Sequence, residues 1–140
     1  MKVQIMSRAE IEELIKHDAL FGVDVISFQN TNDMKKIDFK GLPHRVFSLA
    51  VDDLEYDELE SEGYTYDTFF SEADDLAQFI REAITSNREI ICQCDYGQGR
   101  SAGCAAAIYQ AVDNSGIKIF SDYRYFPNKV IYHKLVEKIW

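Results

Sequence analysis

Apolar and polar residues alternate from Lys2 to Met6, the spacing of a short strand with one covered face. Ser7 with Glu10 three residues later is a capping-box pattern, which predicts a helix from about Arg8 to about Asp18. The run Val23–Phe28 (VDVISF) is β-branched and aromatic and reads as a second strand. Gln29–Lys40 is polar, has no period and reads as loop. Arg45–Val51 (RVFSLAV) is a third strand that empties into the acidic segment Asp52–Gly63.

Further on, Ser71 ahead of Glu72 and Asp74 predicts a helix start. Ala73, Leu76, Ala77, Ile80 and Ile84 share one face of it, and it ends near Asn87. Glu89–Gln93 (EIICQ) is a short apolar strand and Tyr96–Arg100 a glycine-bearing loop. Ser101–Val112 is an Ala-rich helix stopped by Asn114-Ser115-Gly116. Pro127 opens a last helix carrying Val130, Ile131, Leu135, Val136 and Ile139. Strands alternating with helices predict an α/β fold on a largely parallel sheet, where ligands bind beyond the carboxyl ends of the strands. The loop after Glu89–Gln93 is such a place.

With 140 residues, 46% hydrophobic and 28% charged, the chain reads as one soluble globular domain over 1–140. No apolar run approaches the roughly 18 residues of a membrane span. The opening MKVQIMSRAEIEELI turns polar too soon for a secretory signal, so a cytoplasmic location is expected. Three cysteines, an odd number, argue for reduced thiols rather than a disulfide framework. The net charge of −9 is unevenly spread: residues 46–80 hold eleven Asp or Glu and no Lys or Arg. Basic residues lie mostly in the first 45 residues and after 117. This balance argues against nucleic acid and membrane surfaces as partners, since both need clustered cations.

The loop Cys94-Asp95-Tyr96-Gly97-Gln98-Gly99-Arg100-Ser101 suits a phosphate. Its two glycines let the backbone curl so that successive N–H groups converge on an anion. The helix that follows adds donors and a favourable dipole. Arg100 presents a planar fork matching two phosphate oxygens. Donors that hold phosphate also stabilise a thiolate, so Cys94 at their base is an activated nucleophile. Ser101 can donate to that sulfur when it becomes a leaving group. The phosphate-binding set is therefore Asp95, Tyr96, Gly97, Gln98, Gly99 and Arg100.

Cys-x5-Arg followed by Ser resembles the signature loop of the cysteine-dependent protein-tyrosine and dual-specificity phosphatases, and CDYGQGRSAG resembles the dual-specificity form. FFSEADDLAQFIREAI resembles the helix before that loop in small bacterial dual-specificity-like phosphatases, and FPNKVIYHKLVEKI their closing helix, so about residues 45–139 are covered. The resemblance implies a three-layer fold, with a central, mostly parallel sheet of four to five strands flanked by helices. It also implies phosphomonoester hydrolysis through a phosphocysteine intermediate, without metal or cofactor. Low-molecular-weight phosphatases and arsenate reductases carry their loop near the N-terminus, whereas here it begins at residue 94. Rhodanese-like sulfurtransferases usually lack the hydroxyl after the arginine, and a Walker loop needs a Lys. The chain departs from the family at Gln93, where a His usually favours the thiolate.

A general acid follows from the same resemblance: an Asp, on a loop ahead of the long helix, that protonates the leaving phenolate. Asp52, Asp53 and Asp57 lie there, and the family's order of apolar residue, Asp, then Ile or Leu falls on Asp53. Seven acids lie between Asp52 and Glu62, and mutual repulsion is expected to raise the pKa of some of them, which suits a group that must hold its proton. Cys92 and Cys104 read as buried core thiols, and His17, His44 and His133 as surface or capping residues. The three cysteines with a His lack zinc-site spacing. Tyr96 suits the pocket mouth and Gln98 the attacking water. The expected substrate is a phosphorylated protein or small aryl phosphate. Two other readings stay open: a phosphate-binding module dulled by Gln93, and a lipid or inositol-phosphate phosphatase. Against the latter, Asp95 and Gln98 stand in a loop where such enzymes often carry Lys.

Overall fold

The computed structural model describes residues 1–33 and 35–140. Its strands are β1 (Val3–Met6), β2 (Asp24–Gln29), β3 (Arg45–Ala50) and β4 (Ile90–Gln93). They form one sheet in the order β1-β4-β2-β3, and every pairing is parallel. Every residue of β2 and β4 is buried, as befits central strands covered on both faces. Edge strand β3 fully buries only Leu49.

Helices cover the two faces unequally. On one face α1 (Arg8–Lys16) packs Ile11 and Ile15 with Leu20, Val25, Phe39 and Ile91. The other is covered by α2 (Ala73–Thr85), α3 (Arg100–Asp113), the single turn α4 (Ile117–Phe120) and α5 (Lys129–Ile139). Successive strand residues point to opposite faces, so Ile91 joins the α1 side while Ile90, Cys92 and Cys94 join the larger core. This is the expected three-layer α/β arrangement.

Local signals explain most boundaries. The Ser7–Glu10 capping box forms in both directions and starts α1. Asn114, in the left-handed conformation, ends α3. Two expected starts are corrected. Ser71 does not cap α2: its hydroxyl donates to the Glu72 carboxylate, and α2 begins at Ala73 without a side-chain cap, held by its buried face. Pro127 does not open the last helix; it precedes the cap Asn128, whose side chain accepts from Ile131 N at 2.9 Å.

The acidic segment forms two 3-10 turns, Tyr56–Glu58 and Glu60–Glu62. The Tyr56 hydroxyl and His133 Nδ1 share a hydrogen bond of 2.6 Å that ties the first turn to α5. Buried Lys134 donates to the carbonyls of Tyr66 and Phe69 and fixes the return of the segment to the same helix. At the amino end of the sheet, buried Asp24 accepts from Arg45 and Arg88. Among the described residues no helix is long and apolar enough to cross a membrane.

Candidate active site

Cys94 lies one residue beyond β4, and its amide still donates to Met6 O at 3.3 Å, so the ladder carries it to the carboxyl edge of the sheet. The chain then turns tightly. Gly97 has φ +67°, and a Cβ there would stand 2.6 Å from the Ser7 nitrogen, which is backbone and cannot yield. Three loop carbonyls are taken by donors outside the loop. Asp95 O accepts from Arg8 N at 3.1 Å and Gln98 O from Phe126 N at 2.9 Å. Gly99 O accepts from Gly103 N at 2.9 Å and Asn128 N at 3.0 Å. No amide from Asp95 to Ser101 donates to a backbone acceptor in the turns and loops of the described residues. Engaged carbonyls and uncommitted amides are what an anion cradle requires.

The reactive groups gather at this loop. Cys94 is 2% exposed, and its Sγ lies 3.1 Å from Ser101 Oγ in the first turn of α3. Arg100 is also buried but is fixed on one side only: Nη1 donates to Asn30 Oδ1 and Val51 O, both at 2.8 Å. Its Nε is buried and has no hydrogen-bond partner among the described residues. A buried guanidinium N–H without a partner is destabilising. Asn30 Nδ2 donates to Asp95 Oδ2 at 3.0 Å, so one side chain links the start of the loop to its arginine. The side chain of Asp95 therefore braces Asn30, and only its amide is available to an anion. Tyr96 and Gln98 are exposed at the rim.

Gln93 is buried and accepts from Ser27 Oγ. An amide carries no positive charge, so a thiolate at Cys94 gains no cationic neighbour from this position. Cys92 is fully buried on β4. Burial pushes its thiol well above the ordinary value, with Cys104 and Cys94 adding to the effect. All three cysteines are free and buried.

Adjacent Asp52 and Asp53 are engaged differently. Asp52 accepts from the Thr31 amide at 2.9 Å and hydroxyl at 2.8 Å, which staples it to the exit of β2. Asp53 meets the loop after β4: a Cβ on Gly99 would lie 2.5 Å from its Oδ2. Its Oδ1 accepts from Asn128 Nδ2 at 2.8 Å. Buried Asn128 also donates to Leu54 O at 2.9 Å. Asp57 is exposed on the first 3-10 turn. Within the acidic segment Glu55 has its pKa raised, first by burial and then by the charge of Asp53. Asn30 and Asn128 are the site residues that sequence reasoning missed. Asn30 lies in an aperiodic loop and gives no signal; Asn128 is readable as a helix cap but not as a partner of Asp53.

No protein-family model and no curated protein matches the sequence. Solved structures match the fold. The human tyrosine phosphatase-like serine/threonine/tyrosine-interacting protein superposes with a TM-score of 0.58 at 16% identity, covering 94% of this chain and 83% of its own. Tk-PTP in its active form gives 0.60 at 13% identity, over 98% and 89% of the two chains. PTPMT1 in complex with PI(5)P gives 0.57 at 14% identity, over 99% and 90%.

Proposed function

We propose that this chain, whose fold is that of the protein-tyrosine and dual-specificity phosphatases, is a phosphomonoester hydrolase working through a phosphocysteine. The observation that carries this reading is Arg100, a buried guanidinium anchored through Nη1 whose Nε has no partner in the same loop as the Cys94 thiol. In the first step the Cys94 thiolate attacks phosphorus, the bond to the ester oxygen breaks, and Asp53 gives its proton to the departing alcohol or phenol. In the second, water attacks the phosphocysteine, the Asp53 carboxylate takes a proton from that water, and the thiolate leaves toward Ser101 Oγ. Arg100 and the amides from Asp95 to Gly99 carry the charge of the transferring phosphoryl group. These steps draw on no metal or cofactor. The proposed substrate is a phosphorylated protein or small aryl phosphate. A reducing, cytoplasmic setting suits the three free thiols.

Gln93 favours a second reading, a module that binds a phosphorylated partner without turnover. Phosphate release from para-nitrophenyl phosphate separates the two. Steady release by the wild type, lost in Cys94→Ser while vanadate binding persists, is the expected result. Vanadate binding with no release in the wild type selects the module, and absence of both sinks either reading.

A further inference from the structure

Despite the net charge of −9, one cavity of about 420 Å³ is lined by Arg8, Lys16, Lys35, Lys36 and Lys40 against two acids, Glu12 and Asp38. Both acids are already engaged. Glu12 accepts from Arg8 Nε at 2.6 Å, and Asp38 Oδ1 accepts from the Lys40 amide at 2.9 Å. Among the described residues the ion-paired lysines are Lys2 and Lys138, so none of the four here has an acidic partner. Like charges held close without partners repel one another, and the fold gains nothing from them.

The cations ride on a fixed backbone. Ile37 and Phe39 pack beside Ile11 and Ile15, which leaves Lys36, Asp38 and Lys40 on the outer side. Both Nη atoms of Arg8 donate to Lys35 O at 3.2 Å. The groove also begins at the phosphate loop, because the Arg8 amide holds the carbonyl of Asp95, the residue after the nucleophile. At the other end of that loop, Gly99 meets Asp53 of the acidic segment.

We infer that this groove is a second anion subsite, which takes the acidic flank of a phosphorylated peptide whose phosphate sits over Cys94. The inference rests on the hydrolase reading for the second half of that statement. A peptide suits the groove because alternate side chains of an extended chain share one face about 6.6 Å apart, so alternate carboxylates reach successive lysines. A second phosphate on the same peptide offers the same charge in more compact form. An anionic bilayer is a poorer fit, since it spreads over both flanks and meets residues 46–80, which carry no Lys or Arg.

The test compares four peptides binding to Cys94→Ser: neutral-flanked phosphotyrosine, the same with Asp and Glu flanks, the same with a second phosphotyrosine, and an unphosphorylated acidic peptide. The acid-flanked and doubly phosphorylated peptides should bind about tenfold tighter than the neutral one, and this gain should vanish in Lys36→Glu/Lys40→Glu. Turnover of para-nitrophenyl phosphate by an otherwise wild-type chain carrying those two substitutions should be unchanged. A larger gain from the second phosphate than from carboxylates identifies the preferred anion. Equal affinity for all flanks overturns the subsite while leaving the Cys94 reading intact. If phosphorylation adds nothing to binding, the phosphate cradle fails instead, and loss of the unphosphorylated acidic peptide in the lysine variant still reports the groove. Lysine-dependent binding to phosphatidylserine vesicles with no preference among peptides also overturns it.

Discussion

The loop from Cys94 to Ser101 and the segment from Asp52 to Glu62 meet at Gly99, yet they are held in different ways. The loop joins β4 to α3 with both its ends buried, and three of its carbonyls are fastened by backbone donors. Its shape rests largely on main chain, and Gly97 is the position where an added Cβ would meet backbone. The acid segment is two exposed 3-10 turns fastened by side chains from elsewhere: Thr31 on Asp52, Asn128 on Asp53, His133 on Tyr56. In the proposed mechanism, main-chain fastening makes the anion site fixed, whereas side-chain fastening leaves the proton donor open to shifts by single substitutions. Nucleophile and acid should therefore fail separately.

Gly97→Ala should have the largest effect. A side chain at φ +67° that meets the Ser7 backbone forces the loop open, so vanadate binding and turnover should both disappear. Retained binding, measured by calorimetry, would show that the loop tolerates what its packing forbids. Asp53→Asn comes next, with binding intact and phosphotyrosine turnover down by about 10²–10⁴-fold. The alkaline limb of its pH–rate profile should flatten, because that limb reports loss of the acid's proton. Gly99→Ala should shift the Asp53 carboxylate and give a milder form of the same defect, up to about 10²-fold. Asp52→Asn should retain activity and lose about 1 kcal/mol of stability with the Thr31 staple. An Asp52 variant with the flattened profile would exchange the two roles.

Smaller effects follow farther from the loop. Asn128→Ala should cost about 1 kcal/mol as a lost helix cap and lower kcat through Asp53. Asn128→Ser restores the cap but lacks the amide that donates to Asp53. Recovery of stability without recovery of kcat is therefore the expected pairing. Asp24 should leave the chemistry untouched. Burial raises its pKa, but hydrogen bonds and charge from Arg45 and Arg88 outweigh that and hold it below the ordinary value of 3.8. Its contribution is whole above about pH 4 and is lost as pH falls through the lower folded value. Urea midpoints at pH 6 and pH 3 should differ less in Asp24→Asn than in wild type, with kcat the same in both.

The contrast also explains what could be read in advance. Cys94, Arg100 and Ser101 could be picked out together because they lie within one contiguous stretch, and β4 and α3 announce themselves by apolar runs on either side. Asp53 is singled out in the sequence only through resemblance, since seven acids crowd one short segment and spacing does not rank them. What separates it from Asp52 is a contact with Gly99 and another with Asn128, far away in the chain. Asn30 is harder still, because one asparagine in a polar stretch looks like any other until Arg100 arrives beside it. The turn α4 was missed for a plainer reason: four residues are too few to show a helical period. Ser71 misled because a capping residue type next to an acid can bond that acid instead of the helix.

The fastening of Gln98 and Gly99 to Phe126 and Asn128 gives the site a place in time as well as in space. A chain emerging from the ribosome presents its thiol long before the residues that finish the surrounding loop. Until Asn128 appears, Asp53 has no amide to hold it, and until Lys134 follows, the carbonyls of Tyr66 and Phe69 have no ammonium. These supports thus arrive only with residues 126–134, so a copy interrupted near residue 120 carries Cys94 and Arg100 without them.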